Sequence, residues 1–341
     1  MKRRTLLLAL LVSGSIFAQK KTFQNPLLPS GADPYSTYHN GYYYYTHTQG
    51  SKLVLWKTKN LANLKDAESK EVWAPPQGTP YSKEIWAPEF HFINKKWYAY
   101  FAADDGDNNN HRMYVLENAS EDPFKGTWEF KGKIAASIDR WAIDGDVFTY
   151  NNQLYMIWSG WEGNTNGQQN IYIAKMKNPW TIEGNRVLIS QPTYAWEKQG
   201  DLNDAVNPPH VNVNEGPQFL QHGKDVFIIY SSSGCWTDFY SLGMLRLKGT
   251  DLMNPQSWIK SEQPVFVKSE KNSVYAPGHN SFFKSPDGKE DWILYHANDN
   301  PEEGCGPKRS PRMQKIQWNK DGTPNFGEPA SNKEILQIPS E

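Results

Sequence analysis

The chain has 341 residues, a length that suits either two average domains or one large all-β domain. Its 36 basic residues nearly balance 37 acidic ones, which leaves no basic stripe of the kind that nucleic acid or an anionic lipid surface requires. Rings are abundant instead: 14 Trp, 18 Tyr and 15 Phe suit short strands, with most rings expected in the core and some free to stack on the apolar faces of sugars.

The first segment, MKRRTLLLALLVSGSIFAQKK, has the order of an export signal: Lys2, Arg3 and Arg4, an apolar run through Phe17, and a cut after Ala18. It is too short and wrongly flanked to span a membrane. Residues 1–18 are therefore expected to be removed, with 19–341 forming one secreted or periplasmic domain that meets no membrane. No cysteine stands directly after the cut, so lipidation is not suggested. Cys235 and Cys305 follow strand-like runs in consecutive repeats of the chain, and in an oxidising compartment they form either a disulfide or two unpaired thiols.

Beyond the leader there is no long stretch of helical period, and short apolar runs alternate with turn residues. Five segments share one pattern of a polar start, a strand, a turn and an aromatic strand. They are ADPYSTYHNGYYYYTH from Ala32, APEFHFINKKWYAYFAA from Ala87, IDGDVFTYNNQLYMIWSG from Ile143, EGPQFLQHGKDVFIIYSSS from Glu215 and GHNSFFKSPDGKEDWILYHA from Gly278. Repeats of this size, each a small antiparallel sheet unable to bury both faces alone, predict an all-β, five-bladed β-propeller. The start of each first strand then faces the central channel. The residues expected there are Asp33, Glu89, Asp144, Glu215 and His279, at spacings of 56, 55, 71 and 64.

Carboxyl groups gathered in this way cost free energy unless paired, metal-bound or used, and they push one another's pKa values apart. One ionised and one protonated carboxyl across a pocket is the requirement of glycosidic bond cleavage. Asp33 lies in GADPY and Glu215 in NVNEGPQFL; the residues alone do not say which is acid and which is base.

These motifs, together with FQNPLLPSGADPY at Phe23 and WNKDGTPNFGEP at Trp318, resemble glycoside hydrolase family 43 over nearly the whole mature chain. The resemblance implies that Asp33 is the general base, that Glu215 before Gly-Pro is the general acid, and that Asp144 in IDGDVF raises the acid's pKa and orients it. It implies inversion at the anomeric carbon. Gly145 stands where the family usually has proline, which predicts a looser backbone after Asp144. His279 maps to a histidine near a central metal ion or water cluster; a structural Ca²⁺ in the channel would meet it through water, and the chemistry itself requires no cofactor. Asp146, on the same strand face as Asp144, is expected one step deeper, paired with a cation or a metal-bound water.

Trp86 and Trp161 are candidate sugar platforms, Glu89 a candidate partner of sugar hydroxyls, and Arg312 a candidate pocket arginine with Arg309 as its competitor. The stretches GCWTDFYSLGML and APGHNSFFKSPDGKEDWILYHA resemble the family's exo-acting α-L-arabinofuranosidases. The implied partner is an arabinose- or xylose-containing oligo- or polysaccharide, met by a monomer. The alternatives are a β-xylosidase or other exo-glycosidase of the family, and a catalytically silent carbohydrate-binding propeller.

Overall fold

The computed structural model describes residues 21–203 and 207–341; the expected leader lies outside them. Five antiparallel sheets follow in chain order around a common axis, forming a five-bladed β-propeller. Blade one comprises Tyr35–His39, Tyr42–Thr46, Leu53–Thr58 and Glu68–Trp73. Blade two comprises Lys83–Ile93, Lys96–Asp104, Arg112–Asn118 and Glu129–Ile134. Blade three runs Ala142–Tyr150, Gln153–Gly160, Asn170–Asn178 and Thr181–Ser190. Blade four runs Asn214–His222, Asp225–Ser232, Ser241–Leu247 and Trp258–Lys260. Blade five has three strands, Tyr275–Lys284, Asp291–Asn298 and Ser310–Lys315.

Local chemistry explains the hairpins. Asn40-Gly41, Asn94-Lys95 and Asn151-Asn152 join first to second strands, and all six residues are left-handed. That is the conformation a two-residue turn needs to match strand twist. The second strand of blade two, KWYAYFAAD, shows why aromatic runs stay soluble here. Trp97, Ala99, Phe101 and Ala103 pack toward blade one, while Tyr98, Tyr100 and Ala102 pack toward blade three. Period-two alternation thus feeds two different interfaces, and a strand that is apolar on both faces is buried on both. Equivalent clusters join the remaining neighbours.

The fifth blade is completed by the start of the chain. The Asn25 side chain exchanges two hydrogen bonds with the backbone of Met313, Leu27 N donates to Pro311 O, and Gly31 N donates to Arg309 O. Thr22–Phe23 also pairs with Leu336–Gln337. The C-terminal segment therefore does not finish this blade by itself, and the two ends of the described chain close the ring together.

The channel ends of the first strands carry a feature absent from the sequence pattern. Asp33, Ala87, Asp144, Gly216 and His279 each take a left-handed φ of 42° to 58°. In blades two to five this kink falls where the pairing register shifts. Such a bulge re-aims the side chain it carries. These five residues are the true equivalents, so Glu89 and Glu215 are not in register with Asp33: Glu89 lies two residues past the kink and Glu215 one before it. No helix of the described residues is long and apolar enough to cross a membrane.

Candidate active site

A cavity of about 610 Å³ opens at one end of the channel, and Asp33, Asp144, Glu215, His279, Trp86 and Arg309 all line it. Asp33 is the most heavily tethered. Thr48 Oγ1 donates to its Oδ2 at 2.5 Å while accepting from Ala87 N at 2.8 Å, and Asp33 N donates to His296 Nδ1 at 3.0 Å. Arg309 and His279 each approach Asp33 Oδ1 to 3.3 Å. Burial favours the protonated acid, but His279, Arg309, His296 and the Thr48 bond outweigh it and hold Asp33 well below the usual carboxylate range. Both imidazoles are themselves depressed, mainly by burial. Arg309 is thus the permanent cation that keeps Asp33 ionised at neutral pH.

Glu215 has the opposite environment. Burial, helped by the charge of Asp33, pushes its carboxyl up to about 7 against the lowering effects of Tyr240 and Arg309. Tyr240 OH donates to Glu215 Oε1 at 2.8 Å. Asp144 Oδ2 accepts from Gly216 N at 2.9 Å, which fixes it beside Glu215. Burial, then Glu215 and Asp33, raise Asp144 as well. The two raised carboxyls titrate as a pair that holds a proton in the neutral range. A Cβ at Gly145 would stand 2.4 Å from Met156 Cε and 2.8 Å from Met113 Cε. Glycine lets the two methionine tips close over the strand.

The cavity walls come from loops. Trp86 stacks on His111 with centroids 4.0 Å apart, and its indole N donates to Glu84 Oε2. The disulfide between Cys235 and Cys305, left open by the sequence, is formed and sits in the wall. It joins the loop that carries Trp236 to the loop that leads to Arg309. Trp236 N ε1 donates to Asp201 O, which anchors the ring at the rim.

Three expected positions lie elsewhere. Trp161 is buried behind Trp141, stacked at 4.8 Å and 9°, so Trp141 lines the cavity and Trp161 backs it. Arg312 is fully buried and ion-paired with Asp299; Arg309, three residues earlier, reaches the site. Glu89, displaced by the bulge, sits below the cavity with Asp146. The residues two past each kink, Tyr35, Glu89, Asp146, Gln218 and Ser281, occupy the equivalent position one step in. Gln218 donates to Glu89 Oε1, His91 Nε2 lies 2.9 Å from Glu89 Oε2 and 3.9 Å from Asp146 Oδ1, and Asp146 Oδ2 accepts from Phe219 N.

Among the described residues, the group able to hold a metal ion is Glu89, His91 and Asp146, whose ligand atoms lie within 4.8 Å of one another. It does not include His279, whose imidazole faces Asp33. Burial raises Glu89 well above its usual value and, with Glu89's charge, Asp146 to about 7; burial lowers His91 to about 4. Two oxygen donors and a neutral imidazole fit a divalent cation, which would replace the protons these carboxyls otherwise retain and brace blades two and three.

Thr48, Trp141, Trp236, Tyr240 and His296 were not singled out by the sequence. Trp236 and Tyr240 lie inside GCWTDFYSLGML, and the Gly-Cys before Trp236 was the available signal. Thr48 and His296 carried none, because each serves Asp33 from a different strand end.

A family model described as Glycosyl hydrolases family 43 matches residues 23–324. The chain is 41% identical over 320 residues to a protein named extracellular exo-alpha-(1->5)-L-arabinofuranosidase from Streptomyces avermitilis, covering 91% of this chain and 64% of that relative. It is 35% identical over 317 residues to alpha-L-arabinofuranosidase 43 of Humicola insolens, covering 90% and 63%. It thus spans somewhat less than two thirds of the length of these two relatives. The crystal structure of an alpha-L-arabinofuranosidase from Lactobacillus brevis superposes with a TM-score of 0.83 at 36% identity, covering 92% of this chain and 98% of that one.

Proposed function

The chain belongs to glycosyl hydrolases family 43, and from that premise we propose that it is a secreted, inverting, exo-acting α-L-arabinofuranosidase that removes terminal arabinose from plant polysaccharides. The observation that carries this is two carboxyls with opposed surroundings in one cavity: Asp33 beside His279 and Arg309, which favours its ionised form, and Glu215 buried, which favours its protonated form. The names of the relatives in Streptomyces avermitilis, Humicola insolens and Lactobacillus brevis support the sugar. The word extracellular in the first, with the leader-like residues 1–18, supports export.

In this mechanism Glu215 gives its proton to the glycosidic oxygen as the bond to the anomeric carbon breaks, and the bonding pair stays with that oxygen. Asp33 takes a proton from a water whose oxygen attacks the opposite face, inverting the centre. Asp144 works through Glu215: the bond from Gly216 N holds it beside the acid, and the pair retains a proton near neutrality for delivery to the substrate. Trp86 and Trp236 offer ring faces to the sugar. Next to the cavity, and sharing Gly106, Asn108, Asn166 and Asn207 with it, lies a groove of about 520 Å³ lined also by Asp107, Asn109, Asn164, Thr165 and Pro208. Its amides can both donate to and accept from hydroxyls, which suits the remainder of a neutral glycan.

Turnover of 4-nitrophenyl α-L-arabinofuranoside against the β-D-xylopyranoside tests the sugar, and NMR of the first-formed anomer tests the stereochemistry. Preference for the arabinofuranoside with release of the β-anomer is expected. A large preference for the xyloside would instead assign a β-xylosidase, and absence of turnover on both and on arabinan would favour a binding propeller.

A further inference from the structure

We propose that Tyr240 is a positioning residue that fixes which oxygen of Glu215 carries the transferable proton. This rests on the assignment of Glu215 as the acid.

The support is the hydrogen bond between Tyr240 and Glu215. Tyr240 OH donates to Glu215 Oε1 at 2.8 Å, and a phenol has a single proton to give. Ser231, which stands beside Tyr240 at Gly278, is itself tied by His279 N, which donates to its Oγ at 2.7 Å. Oε1 is thereby an acceptor, and the acid's proton belongs on Oε2.

Packing holds the phenol in that line. Tyr240 is 1% exposed, and its ring lies parallel to the His296 imidazole at 5.8 Å and 5°. Gly278 makes the space: a Cβ there would stand 2.2 Å from Tyr240 Cε1. Burial, then the charge of Glu215, keep the phenol protonated far above neutral pH, so it remains a donor. The other ionisable groups at the cavity are Asp33, Glu84, Asp104, Asp144, Arg309 and His279, with His296 behind Tyr240. In the reaction the Oε2 proton moves to the leaving oxygen as the C–O bond breaks, and Oε1 keeps its bond from Tyr240 as the carboxylate forms.

The test is kcat/KM of Tyr240→Phe on aryl α-L-arabinofuranosides of increasing leaving-group pKa. The phenylalanine ring still fills the Gly278 cradle. Losses of roughly 10- to 100-fold are expected on the poorest leaving groups, shrinking to less than about threefold on the best, because only the former need the proton fully delivered. The alkaline limb should also move to higher pH, since a bond that stabilises the ionised acid has been removed. A uniform loss across the series, or an unmoved limb, overturns the proposal. Glu215→Gln in the same series separates the two claims. A flat response there sinks the acid assignment itself, whereas a steep one beside a flat Tyr240→Phe response sinks only the role of Tyr240. If Tyr240→Phe does not fold, Tyr240→3-fluorotyrosine, a stronger donor of nearly the same shape, must move the alkaline limb to lower pH, and an unmoved limb overturns the proposal.

Discussion

Replacing Cys235 and Cys305 together with serine opens the covalent link between two loops that are 70 residues apart in the chain. In the chain-entropy picture, closing a loop of that length removes about 15 cal/mol/K from the unfolded state, or ~4.4 kcal/mol at 25 °C. At about 2.1 cal/mol/K per residue, a chain of this size has an unfolding entropy near 0.7 kcal/mol/K, so Tm should fall by roughly 6 °C. Function should suffer unevenly. Arg309 keeps its backbone bonds to Gly31 and Gly306, whereas Trp236 retains chiefly its indole bond to Asp201 O. KM for an arabino-oligosaccharide should therefore rise about three- to tenfold while kcat stays within a factor of about three, losses typical of loosened substrate contacts. Calorimetry and steady-state kinetics on the double variant read both quantities. A Tm lowered by less than about 1 °C with KM unchanged would refute the idea that this link shapes the cavity wall.

Glu215→Gln should raise Tm relative to the native chain above pH 7 but not at pH 5. A carboxyl whose folded pKa is raised to about 7 contributes stability that disappears as pH rises through that value, and glutamine escapes the penalty; a pH-independent difference in thermal scans would contradict this. Arg309→Met should lower kcat/KM by roughly 10²-fold or more through loss of the cation beside Asp33. Arg312→Met should act mainly on stability, leaving Asp299 without its buried partner, and kinetics with calorimetry on both will show the reverse order if the two arginines have been wrongly placed. Chelation should lower Tm if a divalent ion occupies Glu89, His91 and Asp146; Glu89→Gln should then abolish that sensitivity, and chelator-sensitive stability surviving in the variant would place the ion elsewhere.

The propeller was legible because each blade repeats one hydrophobic rhythm, and strands such as KWYAYFAAD are apolar on both faces. Asp33, Asp144 and Glu215 were legible as carboxylates at repeat starts, and the structure brings all three to one cavity. Register was not. The left-handed residue is Asp, Ala, Asp, Gly and His in the five blades, with no shared side chain to mark it, so counting to the nearest carboxylate placed Glu89 at the mouth when it lies one step in. Arg309 and Arg312 differ by three residues, and only the fold separates the one that meets Asp33 from the one that meets Asp299. Blade closure by residues 22–31 was hidden for another reason. It depends on backbone bonds and on the Asn25 amide, which follow no repeat.

The central claim is that one cavity keeps Asp33 ionised and Glu215 protonated near neutrality. Titration of ¹³C-labelled side-chain carboxyls by NMR, assigned through Asp33→Asn and Glu215→Gln, measures this without substrate. Glu215 should titrate near pH 7 while Asp33 stays ionised through pH 4; an ordinary carboxylate value for Glu215, or protonation of Asp33 above pH 4, would contradict it.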